Sequence, residues 1–145
     1  NVISVEHDKG WYQKIKNNSI EKQQILLRKN NSTYEETIIE QNKKFDVIII
    51  DGIRRPQCSK IIKNYLNFQS IEGCMVILDN SDWYRETAKY LRENLDMIEV
   101  DFHGFVPIND YTWTTSVFLS RIFRFQSNNN VQPHFSISAI KQSGE

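Results

Sequence analysis

The stretch FDVIIID, Phe45–Asp51, decides the fold. Val47 to Ile50 are four β-branched residues in a row, behind Phe45 and interrupted only by Asp46. Such a run lacks the in-and-out alternation of a half-exposed strand. It predicts a strand covered on both faces, the kind found in parallel sheets with helices on each side. Gly52 lets the chain turn, and Pro56 suits the first position of a helix, where its missing N–H costs nothing. Cys58, Ile61, Ile62, Tyr65 and Leu66 then recur at helical spacing.

Outward from this unit the same alternation repeats. Gly73 introduces a second buried strand, CMVIL (Cys74–Leu78), ending in Asp79-Asn80-Ser81-Asp82. Tyr84, Ala88, Leu91 and Leu95 predict an amphipathic helix after it. Upstream, Val2–Val5 reads as a strand followed by Glu6, His7 and Asp8. Asp8 can cap a helix that carries Trp11, Ile15 and Ile20 inward. Ile25-Leu26-Leu27 predicts a short strand, and a short helix is expected around Tyr34–Gln41. Downstream the pattern changes, because Met97–Phe102 and Thr115–Phe123 are both strand-like with no helix pattern between them. A parallel pair would need a crossover, so these two are expected to run antiparallel. The sequence thus predicts one α/β domain over residues 1–125, with a mainly parallel sheet and an antiparallel edge. Residues 126–145 form a polar tail.

Composition narrows the function. The chain has 145 residues with 18 basic and 18 acidic side chains, a balance that gives no electrostatic case for nucleic acid or a membrane surface. No apolar run approaches the roughly 18–20 residues of a membrane span. The two cysteines, Cys58 and Cys74, match no zinc spacing and are read as buried free thiols, which fits a cytoplasmic setting. Ligands of parallel α/β sheets bind beyond the carboxyl ends of the strands. Those ends carry Glu6, Asp51 and Asp79-Asn80, so the candidate chemistry is acidic. His7 and His103 are the histidines able to move protons nearby. Trp83, Tyr111 and Trp113 are candidates for a pocket wall, with packing as the default role.

VEHD after the first strand, FDVIIIDG, GCMVILDN and the closing strand pair together resemble the later motifs of class I S-adenosylmethionine-dependent methyltransferases. The similarity spans about residues 2–124. It implies a Rossmann-like three-layer sandwich and a methyl transfer, with O-methylation of a small molecule as the first expectation. Residue by residue, Glu6 matches the acid that accepts from the cofactor ribose hydroxyls, with His7 beside it. Asp51 matches the position next to the methyl group. Asp79-Asn80 is similar to the acid-amide pair of the catechol and caffeoyl-CoA branch, so Asp51, Asp79 and Asn80 become an expected Mg²⁺ site. In that branch a lysine acts as base three residues after the fourth-strand Asp. Arg54 stands there instead and stays protonated. Its expected role is therefore to clamp an anionic group of the substrate.

The family's glycine-rich cofactor turn has no counterpart among Gly10, Gly52, Gly73, Gly104 and Gly144. The resemblance therefore implies that the chain lacks the family's first strand and helix and is a fragment. Two alternatives stand beside this reading. A receiver-like signalling domain would phosphorylate Asp51, with Glu6 and Asp8 around Mg²⁺, but would end on a helix. A methyltransferase-like scaffold without catalysis is the other.

Overall fold

In a computed structural model of the protein, residues 1–29, 31–105 and 110–124 are described. The predicted tail, 126–145, lies outside them. The element order is β1 (Val2–Glu6), α1 (Lys9–Asn17), β2 (Gln23–Leu27), α2 (Asn31–Tyr34), α3 (Thr37–Glu40), β3 (Val47–Ile50), α4 (Arg55–Ile62), β4 (Met75–Leu78), α5 (Arg85–Asn94), β5 (Ile98–Phe105) and β6 (Thr112–Leu119). This is the predicted alternation, closed by the predicted strand pair. The fold is mixed α/β.

The strands form two sheets. β1 and β2 pair in parallel, with Val2 opposite Gln23 and Glu6 opposite Leu27. The second sheet has the order β3-β4-β6-β5. β3 and β4 are parallel, while β6 is antiparallel to both β4 and β5. The antiparallel β5–β6 pair stands where the receiver-like alternative requires a helix. Among the described residues β1, β2 and β3 each pair along one edge, so three strands with parallel partners have a second edge without a strand on it.

Burial in the larger sheet is one-sided. Ile50, Val76, Leu78 and Phe118 pack with Ile62 of α4 and Ala88 and Leu91 of α5 into a single core. Register places Val76 beside Phe118 and Ile48, and Leu78 beside Ile50, so these residues share one face. The opposite face is apolar and open. Val47 is 45% exposed, Ile49 64%, Val100 40% and Phe102 59%. The expectation that Phe45–Asp51 is covered on both faces is therefore corrected. The uninterrupted apolar run is real, but among the described residues helices cover one face of the four-stranded sheet. The chain's α1 packs instead on β1 and β2.

Three smaller expectations are also corrected. Trp11 and Ile20 are exposed, and the half-buried residues of α1 are Tyr12 and Ile15. Trp11 instead lies under the ammonium of Lys14, 4.6 Å from its ring centre. The helix over Pro56–Leu66 stops at Ile62, because Leu66 leaves it to bridge Phe45 in parallel. The helix expected around Tyr34–Gln41 is broken into α2 and α3 at Glu35-Glu36.

One-sided burial has a measurable signature. Phe118, 0% exposed, should cost about 3–5 kcal/mol when truncated to Ala, the usual range for a buried aromatic. Ile49→Lys, on the open face, should stay within about 0.5 kcal/mol. Urea denaturation of both variants checks this, and comparable losses would mean that both faces are covered.

Candidate functional site

The carboxyl ends of β1, β3 and β4 carry the acids, and three side chains that sequence patterns did not single out organise them. The first is Tyr34, at the end of α2. Its hydroxyl donates to the Val5 carbonyl of β1 at 3.4 Å and lies against Gly52, just past β3. A Cβ at Gly52 would sit 1.9 Å from that hydroxyl, so any larger residue there would displace the Tyr34 ring. Burial pushes the Tyr34 phenol up to about 12, reinforced by the nearby Cys58, Glu6 and Asp51 and opposed by Arg55. Tyr34 thus ties the small sheet to the large one at the acidic edge.

The second is Arg55, the first residue of α4. Its Nε donates to the Gly52 carbonyl at 2.9 Å. One terminal nitrogen donates to the Asp79 carbonyl and to Asn80 Oδ1 at 3.1 Å. The other donates to the Asp51 carbonyl at 3.1 Å and to Asp51 Oδ1 at 3.2 Å. Its guanidinium also lies 5.0 Å from the centre of the Tyr84 ring. A guanidinium has five N–H groups in a fixed plane, and here each has an acceptor. The side chain is 11% exposed, so these bonds are largely shielded from water.

The third is Thr115 of β6, whose hydroxyl donates to Asp79 Oδ1 at 2.5 Å. With Arg55 on its backbone and Thr115 on its carboxylate, Asp79 is held beside Asp51. Burial, and then the Asp79 carboxylate with which it shares a hydrogen bond, raise Asp51 above the usual carboxylate range, while Arg55 pulls it back. Asn80 takes a left-handed backbone with φ 49°, which asparagine tolerates better than most residues. Asn80 is 7% exposed, and among the described residues its Nδ2 has no hydrogen-bond partner. An unsatisfied buried donor costs about 1–3 kcal/mol.

At the end of β1, Glu6 folds back on its own chain. Its Oε1 accepts from the backbone N–H of His7 at 2.7 Å and of Asp8 at 2.9 Å. His7 Nδ1 lies 3.1 Å from the same oxygen, and its ring meets Tyr34 edge-on at 6.2 Å. This fixes the carboxylate in place, and none of these contacts uses Oε2. Asp8 caps α1 as expected, accepting from Trp11 N at 2.8 Å.

Arg54 does not join the acids. With φ 55° it takes a left-handed turn and sends its guanidinium to Glu35, with Nε at 2.8 and 3.0 Å and Nη2 at 2.7 Å. That pairing holds the Glu35 carboxyl below its usual range. The expected substrate clamp is therefore committed to an internal ion pair, and the neighbouring Arg55 takes the central position. Arg55 sits four residues after Asp51 at a helix start, and that i,i+4 acid–arginine spacing was the available signal.

The Mg²⁺ expectation does not fit this geometry. Asn80 Oδ1, the oxygen a cation would need, already accepts from Arg55, and Asp79 Oδ1 accepts from Thr115. Among the described residues no group of three or more His, Cys, Asp or Glu is placed to hold a metal ion. His103 also stands apart, with Nδ1 2.7 Å from the Thr114 hydroxyl on the helix-covered face. Trp83, Trp113 and Tyr111 do come together, with Trp83 and Trp113 at 6.0 Å and 90°, and Tyr111 and Trp113 at 6.2 Å and 72°. Cys58 and Cys74 are free thiols. No helix among the described residues is long and apolar enough to cross a membrane.

Neither a protein-family model nor a curated protein sequence matches the chain. Solved structures do. A proposed methyltransferase of Streptococcus mutans in complex with SAH superposes with a TM-score of 0.54 at 13% identity, over 83% of this chain and 76% of that one. An rRNA methylase of Streptococcus thermophilus gives 0.53 at 12% identity, over 82% and 72%. At such identity the likeness concerns the fold, which is Rossmann-like and shared with these proteins.

Two outcomes test the site's construction. Arg55→Lys keeps the charge but not the planar fork, and should cost about 2–3 kcal/mol in urea unfolding. For Asp51, the folded state binds the proton more tightly than the unfolded chain does. Its contribution is therefore full in acid and is lost as pH rises through the raised value. Relative to wild type, Asp51→Asn should therefore gain in Tm as pH rises from acid through the carboxylate range towards neutrality, and a flat difference would contradict the raised value.

Proposed function

We propose that the chain forms the core of an S-adenosylmethionine-dependent methyltransferase acting on an oxygen of a small molecule. The observation that carries this reading is that Tyr34 brings the carboxyl ends of β1 and β3 together, its hydroxyl on the Val5 carbonyl and against Gly52, the chain neighbours of Glu6 and Asp51. A Rossmann-like sheet binds ligands at that edge. The SAH bound to the Streptococcus mutans protein supports the choice of cofactor. The balance of 18 basic and 18 acidic residues favours a small acceptor over RNA.

In this reading the cofactor supplies an electrophilic methyl group on a sulfonium, and the chain supplies position and a base. Glu6, anchored through Oε1 by two backbone N–H groups, has Oε2 to accept from a ribose hydroxyl. Asp51 carries a raised proton affinity and lies beside Asp79, so it can take the proton of an acceptor hydroxyl as the oxygen attacks. Arg55 holds both strand ends at a fixed separation, which is what an in-line transfer requires. Arg54, bound to Glu35, shapes the turn rather than touching substrate. No step runs through a divalent cation.

One observation favours the non-catalytic alternative. The Tyr34 hydroxyl fills the space over Gly52 between the two strand ends. Calorimetry with S-adenosylhomocysteine separates the two. Methyl transfer requires saturable binding that Glu6→Ala weakens about tenfold or more, as loss of a charged hydrogen bond implies. Absence of binding heat would leave the scaffold reading.

A further inference from the structure

A cleft of about 540 Å³ opens between the first turns of α4 and α5; Asp51 and Asp79 do not line it, but its Tyr84 wall adjoins the Arg55 that holds them. Its volume lies in the range of small-molecule sites, roughly 300–1,000 Å³. Trp83, Tyr84 and Tyr90 give it aromatic walls, and Lys60 and Arg85 stand at its margin. Trp83 is 61% exposed, an uncommon degree for a ring so large, and Trp113 meets it at a right angle. Tyr84 has the Arg55 guanidinium on its ring, so it is braced as well. Rings held this way keep their orientation without a ligand and lose little entropy on binding one.

The charges choose the ligand. Among the described residues Lys60 forms no ion pair, and Arg85 spends one N–H on the Asp82 carbonyl at 3.2 Å while its charge is unpaired. Of the two acids at the cleft, Asp82 turns its carboxylate to the Thr114 N–H at 3.2 Å. Glu86 is exposed in the first turn of α5, where the positive end of the helix offsets its charge. Among the described residues none of the four groups has a counterion, but the acids have the N–H and helix-end offsets just named, whereas Lys60 and Arg85 keep N–H donors for an anion.

We propose that this cleft binds a planar aromatic anion, its ring against Trp83 and its carboxylate or phosphate on Lys60 and Arg85. This assigns the anionic group to these two residues in place of Arg54. In the methyl-transfer reading the occupant is the acceptor, since the Tyr84 wall carries the Arg55 guanidinium that also bonds Asp51 and Asn80. The binding itself does not depend on that reading.

Titration of the protein with 2-naphthoate, followed by the indole N–H resonance of Trp83 in NMR spectra, is the test. Trp83→Phe assigns that resonance. Saturable movement of Trp83 with Trp11 unmoved is expected, and Lys60→Gln and Arg85→Gln should each weaken binding about three- to tenfold. Uncharged 2-naphthamide and cationic 2-naphthylmethylammonium should both bind more weakly. Ile49→Lys, on the open sheet face, should leave the affinity unchanged. A stationary Trp83 resonance, equal or tighter binding of the neutral or cationic probe, or full affinity in both Lys60 and Arg85 variants would overturn the proposal. Success here with no S-adenosylhomocysteine binding would retain the cleft and remove methyl transfer.

Discussion

The acidic edge depends on one side chain. Arg55 ties the backbone after β3 to the backbone after β4, and in the same plane it holds Asp51 and Asn80 by their side chains. Without it, Asp51 and Asp79 would face each other as two carboxylates with only Thr115 to steady one of them. Lysine could supply the charge but not five donors at fixed angles. The left-handed turn at Arg54 brings this about. It turns one arginine to Glu35 and starts the helix so that the next points back at the strand ends. A non-glycine residue in that conformation costs about 1–2 kcal/mol, and the two arginine anchors offset it.

The sequence made the element order and the strand-end acids legible because both follow from local rules. Apolar runs mark strands, spacing marks helices, and a polar residue after a buried strand marks the edge where ligands bind. What was not legible required knowing which elements meet. The run Val47–Ile50 could not reveal that one of its faces stays open, because an exposed isoleucine and a buried one are the same letter. The exchange of roles between Arg54 and Arg55 turned on a single positive φ angle. Tyr34 was legible only as the start of a short helix, and the contacts with Val5 and Gly52 show its role as a strut between the sheets. The metal expectation counted Asp and Asn oxygens without the Thr115 and Arg55 donors that bond two of them, contacts that the sequence does not reveal.

The site combines two kinds of polar group that differ in how settled they are. Arg54 with Glu35, and Ser116 with Ser81 and Asp101, are closed networks in which the groups satisfy one another. The Asp51–Asp79 pair and the Asn80 Nδ2 are not closed: one holds two like charges together, the other a donor with no acceptor among the described residues. Groups left in that condition cluster where a ligand completes them. The contrast separates the carboxyl edge of β3 and β4 from the polar network under α5, although both are rich in Asp and Ser.

The open face of the four-stranded sheet leaves room for linkage. Val47, Ile49, Val100 and Phe102 keep apolar area in contact with water. Any molecule that binds that face in the folded state alone would add a mass-action term to the free energy of folding, growing with the logarithm of its concentration. Melting temperature would then rise with that concentration. A sheet with one finished side is open to such a contribution in a way that a sheet covered on both sides is not.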